Sequence, residues 1–166
     1  MDIMEAIMNR RSIREYKDKV ISKESLDKLV EAARFAPTAR NIQPWEFIVI
    51  TEGAVLKKIG EMADNGRFVA EAKACIAVFC QETKYYLEDG CAATVNILLA
   101  ATSLGIGSCW VAGDKKPYCE EVRKLLNVPA SCKLVSMIAL GYPHTKDAFM
   151  AAKKRALDEL IHREKF

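Results

Sequence analysis

The segment APTARNIQPWEF, Ala36 to Phe47, is the place to begin. Pro37 ends the helix before it, because the residue preceding a proline disfavours helical backbone. The string then sets Asn41, Gln43, Pro44 and Trp45 directly ahead of an apolar run. Behind it, Leu26, Leu29, Val30 and Ala33 recur at helical spacing. Ser22 is placed to cap that helix, and Ile21 and Leu26 to staple its entry. Ahead of it, Phe47 to Thr51 is rich in β-branched residues and reads as a strand. A polar loop thus joins a helix to a strand.

Working outward, the same alternation continues. A first helix is expected from Asp2 to about Arg10, with Ile3 and Ile7 as an apolar stripe and Asp2 at the positive end. A short helix follows over Val55 to Met62, and Asn65-Gly66 marks a turn. Cys75 to Cys80 is continuously apolar and reads as a buried strand. Leu87 to Leu104 is the longest helix, with few charges after Asp89; a helix with no polar face belongs in a core or at a dimer interface. Gly105 and Gly107 end it, and Ser108 to Val111 resumes as a strand. Pro117 to Leu126 is an amphipathic helix, and Lys133 to Leu140 is a strand closed by Gly141. Leu160 and Ile161 need a surface to cover them. Helices mixed with about four strands predict an α+β fold, helices packed on one sheet. The 166 residues fit a single domain.

Bulk properties exclude several classes. The net charge of +3 is small, and carboxylates offset the cations, as in KKPYCEEVRK. A nucleic-acid surface is therefore not expected. No signal-peptide pattern is present, and the apolar stretch near Ala92 to Ala101 is too polar for a membrane span. The six cysteines form no C-x-x-C, and only His144 and His162 are at hand to help bind zinc, so no metal site is expected. Free thiols in apolar runs imply a reducing, cytoplasmic setting. Neither histidine sits in a motif for nucleophilic catalysis.

Positive charge is instead gathered at two ends. Arg10, Arg11, Ser12 and Arg14 lie in MNRRSIREY, and Lys153, Lys154 and Arg155 in AAKKRALDEL. A phosphate monoester needs donors converging from several directions, and arginine with a serine hydroxyl meets that need. Either segment alone reads as an ordinary solvated helix end. Their joint occurrence with the loop points to phosphate-ligand binding.

Taken together, MNRRSIREY, APTARNIQPWEF, GIGSCWVAGDK and AAKKRALDEL resemble the nitroreductase family of FMN-dependent oxidoreductases, over nearly the whole chain. The resemblance implies a central, mostly antiparallel sheet flanked by helices in an interlocked homodimer, with FMN at the interface. It implies that Arg10, Ser12 and Arg14 bind the FMN phosphate or ribityl chain and that Arg11 meets the ring edge through its backbone. It gives Lys153 and Arg155 the closing of the phosphate site. It makes Pro37, Thr38, Ala39, Asn41 and Gln43 the second subunit's contribution, although Asn41 and Gln43 also read as residues that cap their own loop. Relatives commonly carry serine where Thr38 and Ala39 stand, so a side-chain bond to the flavin is expected to be lost at Ala39. Backbone N–H groups near Ala112 and Gly113 are expected to face the flavin N5. Trp110 reads as core. The turn at Asn65 and Arg67 aligns too loosely to join the site. The implied activity is electron transfer from NADH or NADPH to a small-molecule acceptor such as a nitroaromatic, quinone or flavin, by a ping-pong mechanism. The same residues would also serve an FMN carrier or redox sensor without fast turnover.

Overall fold

Four apolar runs pair into one sheet: β1 (Trp45–Ile50), β2 (Ala74–Gln81), β3 (Gly107–Ala112) and β4 (Cys132–Gly141). The order is β1-β2-β4-β3, and every pair is antiparallel. The computed structural model describes residues 1–149 and 153–166. The helices are α1 (Ile3–Asn9), α2 (Lys23–Arg34), α3 (Gly53–Met62), α4 (Tyr86–Ser103) and α5 (Cys119–Leu125).

The inner strand β2 is apolar from Ala74 to Cys80 because it is buried there on both faces. Ile76, Val78 and Cys80 pack with Leu26 and Leu29 of α2 and Ala93 and Ile97 of α4. Cys75, Ala77 and Phe79 pack on the other face with Leu56 and Ile59 of α3 and Val122 of α5. The sheet is therefore a middle layer between two helical layers. Ser22 caps α2 as expected, accepting from the Ser25 amide. The strands begin slightly earlier than the β-branched pattern suggests, at Trp45 and Cys132, and α5 begins two residues after Pro117.

One expectation changes. Asn65-Gly66 is not a simple turn but part of a 3₁₀-helical run, Asp64–Glu71. The stripe on α1 does not enter this chain's core. The helix has a full Asp2–Glu5 capping box, yet buries only Ala6. Ile3, Met4, Ile7 and Met8 are 66%, 57%, 48% and 57% exposed. Together with Leu157, Leu160 and Ile161, also exposed, they form apolar surface that this chain does not cover.

Candidate active site

The chain beyond α1 runs along the outer edge of β3. Ser12 forms a parallel bridge with Ser108, and the Ile13 amide donates to the Ser108 carbonyl at 2.9 Å. Extended backbone alternates its side chains, so Ile13 points into the core while Ser12 and Arg14 point out. The buried Tyr16 anchors the segment by donating to the Ile13 carbonyl at 2.6 Å. It packs against Gly141, where a Cβ would come within 2.5 Å of its ring.

Burial pushes the Cys109 thiol up, and Arg14, a bond from Ser12, and Arg10 pull it down, in that order. Arg10, Ser12 and Arg14 thus lie on the one segment that runs beside β3, bridged to it at Ser108. Among the described residues neither Arg10 nor Arg14 pairs with a carboxylate. Arg14 is held instead by the Ser12 carbonyl at 3.3 Å and by the ring of Phe68, 5.6 Å away. Arg11 behaves differently: it donates to the carbonyls of Met8, at 2.9 Å, and Arg10, closing the end of α1.

At the end of β3 the ladder continues past the strand. The Gly113 amide donates to Val135 at 3.0 Å and the Asp114 amide to Leu134 at 2.7 Å. Alternate residues of an edge strand bond inward, so the amide of Ala112 faces the open edge. This corrects the expectation for Gly113, whose N–H is already committed to β4. The Ala112 carbonyl accepts from the Tyr118 hydroxyl. A cavity of about 370 Å³ lies here, lined by Arg14, Asn65, Trp110, Ala112 and Lys116 among others. Just past the strand, Tyr86 of α4 donates to Asp114 at 2.7 Å. That bond, then burial, pushes the Tyr86 phenol up to about 12.

The loop from Pro37 to Gln43 lies elsewhere. It leads into β1, at the opposite edge of the sheet from β3. Thr38 donates to Asp89 at 2.9 Å, and the Ala39 amide donates to the same carboxylate at 3.0 Å. Asn41 and Gln43 are exposed and bond to each other at 3.1 Å. No hydrogen bond or ion pair among the described residues joins this loop to Arg10, Ser12 or Arg14. Within one chain the loop and the Arg10–Arg14 segment lie at opposite edges of the sheet.

Comparison with known proteins shows the family. The model of the "Nitroreductase family" matches residues 7–88, and one described as "Putative TM nitroreductase" matches residues 58–166. An Archaeoglobus fulgidus protein named "Putative NADH dehydrogenase/NAD(P)H nitroreductase" is 39% identical, covering 99% of each chain. The chain belongs to the nitroreductase family. A solved Parabacteroides distasonis protein bearing the same name superposes with TM-score 0.91 at 34% identity, over 99% of this chain and 98% of that one. A Desulfovibrio desulfuricans nitroreductase, solved in complex with FMN, superposes with TM-score 0.85 at 30% identity, covering 99% and 97%.

Within this nitroreductase, the structure sorts the predicted residues. Arg10, Ser12, Arg14 and Ala112 share the β3 edge. Pro37, Thr38, Ala39, Asn41 and Gln43 share the loop, but the Thr38 hydroxyl and the Ala39 amide are both spent on Asp89. Lys153 and Arg155 are exposed, and the bonds of Arg155 go to Glu159, within its own turn. Three residues with a place here were left out of the predicted site. Asn65, whose turn aligned too loosely to be included, lines the cavity, and so does Lys116, which nothing in its local sequence marks. Asp89 did carry a signal: a carboxylate in the first turn of an otherwise apolar helix. Trp110 is both core and wall, packing on the α4 side while lining the cavity.

Proposed function

We propose that the protein is an FMN-dependent oxidoreductase that passes electrons from NADH or NADPH to a nitroaromatic, quinone or flavin-like acceptor. The observation that carries this is that Arg10, Ser12 and Arg14 lie on the segment bridged to β3, the strand whose Ala112 amide faces the open edge, with no carboxylate among the described residues spent on either arginine. These residues fit the cofactor: the cluster offers charge-assisted donors for a phosphate, and the edge amide offers a donor for a ring nitrogen. The chemistry supplied by bound FMN is acceptance of a hydride and delivery of two electrons.

The chain's own part is binding and orientation. Arg10, Ser12 and Arg14 hold the phosphate end, and Lys153 and Arg155 close over it. Arg11 meets the ring edge through its backbone, its side chain being occupied at the end of α1. Ala112 donates to the ring, and Gly113 fixes the strand that presents it. Pro37, Thr38, Ala39, Asn41 and Gln43 of a second copy complete the site. That copy is required because the two half-sites lie apart within one chain. The exposed side chains of α1, and the groove of about 360 Å³ between α1 and α4, supply the apolar surface for a homodimer.

Donor and acceptor use one open space in turn, which gives ping-pong kinetics. Initial rates with NADPH and a nitroaromatic, at several acceptor concentrations, should give parallel double-reciprocal lines. Converging lines would show a ternary complex and contradict the shared space.

A further inference from the structure

We propose that Asp89 is a positioning residue: it holds the Thr38–Gln43 loop in the shape that a second copy receives, and so sets cofactor affinity without touching the cofactor. The inference rests on the two-subunit FMN reading above. Asp89 sits in the first turn of α4 and is only 5% exposed. A carboxylate so buried persists only with partners. Among the described residues it has no ion pair. The amino-terminal end of α4 favours its charge, and two donors from far along the chain satisfy its oxygens.

Those donors are the Thr38 hydroxyl on Oδ2, at 2.9 Å, and the Ala39 amide on Oδ1, at 3.0 Å. While donating to Asp89, the Thr38 oxygen accepts the Gln43 amide at 3.1 Å. One carboxylate therefore pins the start of the loop, and through Thr38 it ties down the end. What lies between needs such a clamp. Arg40, Asn41 and Gln43 have φ of 54°, 56° and 53°, the left-handed region that non-glycine residues avoid. Such backbone persists where its surroundings over-determine it, and it gathers at functional sites. Asn41 and Gln43 face solvent in the single chain, so the fold of this chain gains little from their exact placement. A site completed by the loop gains from it directly.

The test uses Asp89→Ala, Asp89→Asn and Thr38→Val in the full-length protein, with two readouts. The first is amide hydrogen exchange of the cofactor-free protein. Asp89→Ala should speed exchange at Ala39 and Gln43 by about tenfold or more, with the amides of β2 unchanged. The second is FMN titration followed by flavin fluorescence, where Asp89→Ala should weaken binding by about tenfold or more. Asp89→Asn keeps an oxygen for the Ala39 amide and should recover part of both effects. Thr38→Val, the mildest change, should loosen Gln43 and weaken FMN in the same direction even if Asp89→Ala folds poorly. Unchanged loop exchange in all three variants would overturn the clamp. Faster exchange with unchanged FMN affinity would overturn the cofactor role while leaving the clamp. A wild type that binds no FMN would overturn the cofactor reading itself, and the exchange data would still report on the clamp.

Discussion

The Gly113 amide donates to the Val135 carbonyl at 3.0 Å, one position beyond the last residue of β3. The glycine is required for this approach: a Cβ there would lie 2.6 Å from the carbonyl oxygens of Leu134 and Val135. Gly113 thus extends the ladder and turns the neighbouring Ala112 amide to the open edge. Packing and presentation of a donor are divided between adjacent residues.

Substitutions at the two positions should separate these roles. Gly113→Ala forces β3 away from β4 and should lower stability by about 1–3 kcal/mol, measured by denaturant unfolding. Ala112→Pro removes an N–H that faces outward from an edge strand, where proline is tolerated. It should cost less stability than Gly113→Ala but slow reduction of the bound flavin by NADPH about tenfold or more in stopped flow. Wild-type reduction rates in Ala112→Pro would show that this amide is not the donor.

Arg14 is exposed and pairs with no carboxylate among the described residues, so its removal should barely change folding. Its bond to a phosphate is charge-assisted, worth about 1.5–3 kcal/mol. Arg14→Ala should therefore weaken FMN about tenfold or more with an unchanged melting temperature. Equal affinities at moderate salt would take Arg14 out of the site.

The uncovered face of α1 predicts what happens when it is charged. Met4 and Ile7 are 57% and 48% exposed in the single chain, so two glutamates there would not disturb its core. In a dimer that buries more than about 2,000 Å² they would be desolvated without partners. Sedimentation velocity should find wild type dimeric at micromolar concentration, and Met4→Glu with Ile7→Glu monomeric and unable to retain FMN. A double variant that stays dimeric would place the interface elsewhere.

What the sequence made legible was mostly local. Ser22 lies three residues from the amide it caps, and the apolar run of β2 announces its own burial. Arg10, Ser12 and Arg14 alternate along one extended segment, so their shared face follows from spacing. Other features depend on contacts far along the chain. Thr38 and Asp89 are 51 residues apart, so the spending of the Thr38 hydroxyl is invisible in either segment. Gly113 reads as a ligand-facing glycine until β4 is laid beside it. The stripe of Ile3 and Ile7 shows that α1 has an apolar face, but periodicity does not say whether this chain or another covers it.

The most direct measurement is the absorption spectrum of the FMN-loaded protein after desalting, before and after NADPH or NADH under argon. The account predicts a retained flavin spectrum, about one FMN per chain, bleached by one of the nicotinamides and restored by a nitroaromatic or quinone. A protein that keeps its flavin but is bleached by neither nicotinamide would be a carrier or sensor and would contradict the oxidoreductase; one that retains no flavin would contradict the cofactor site as well.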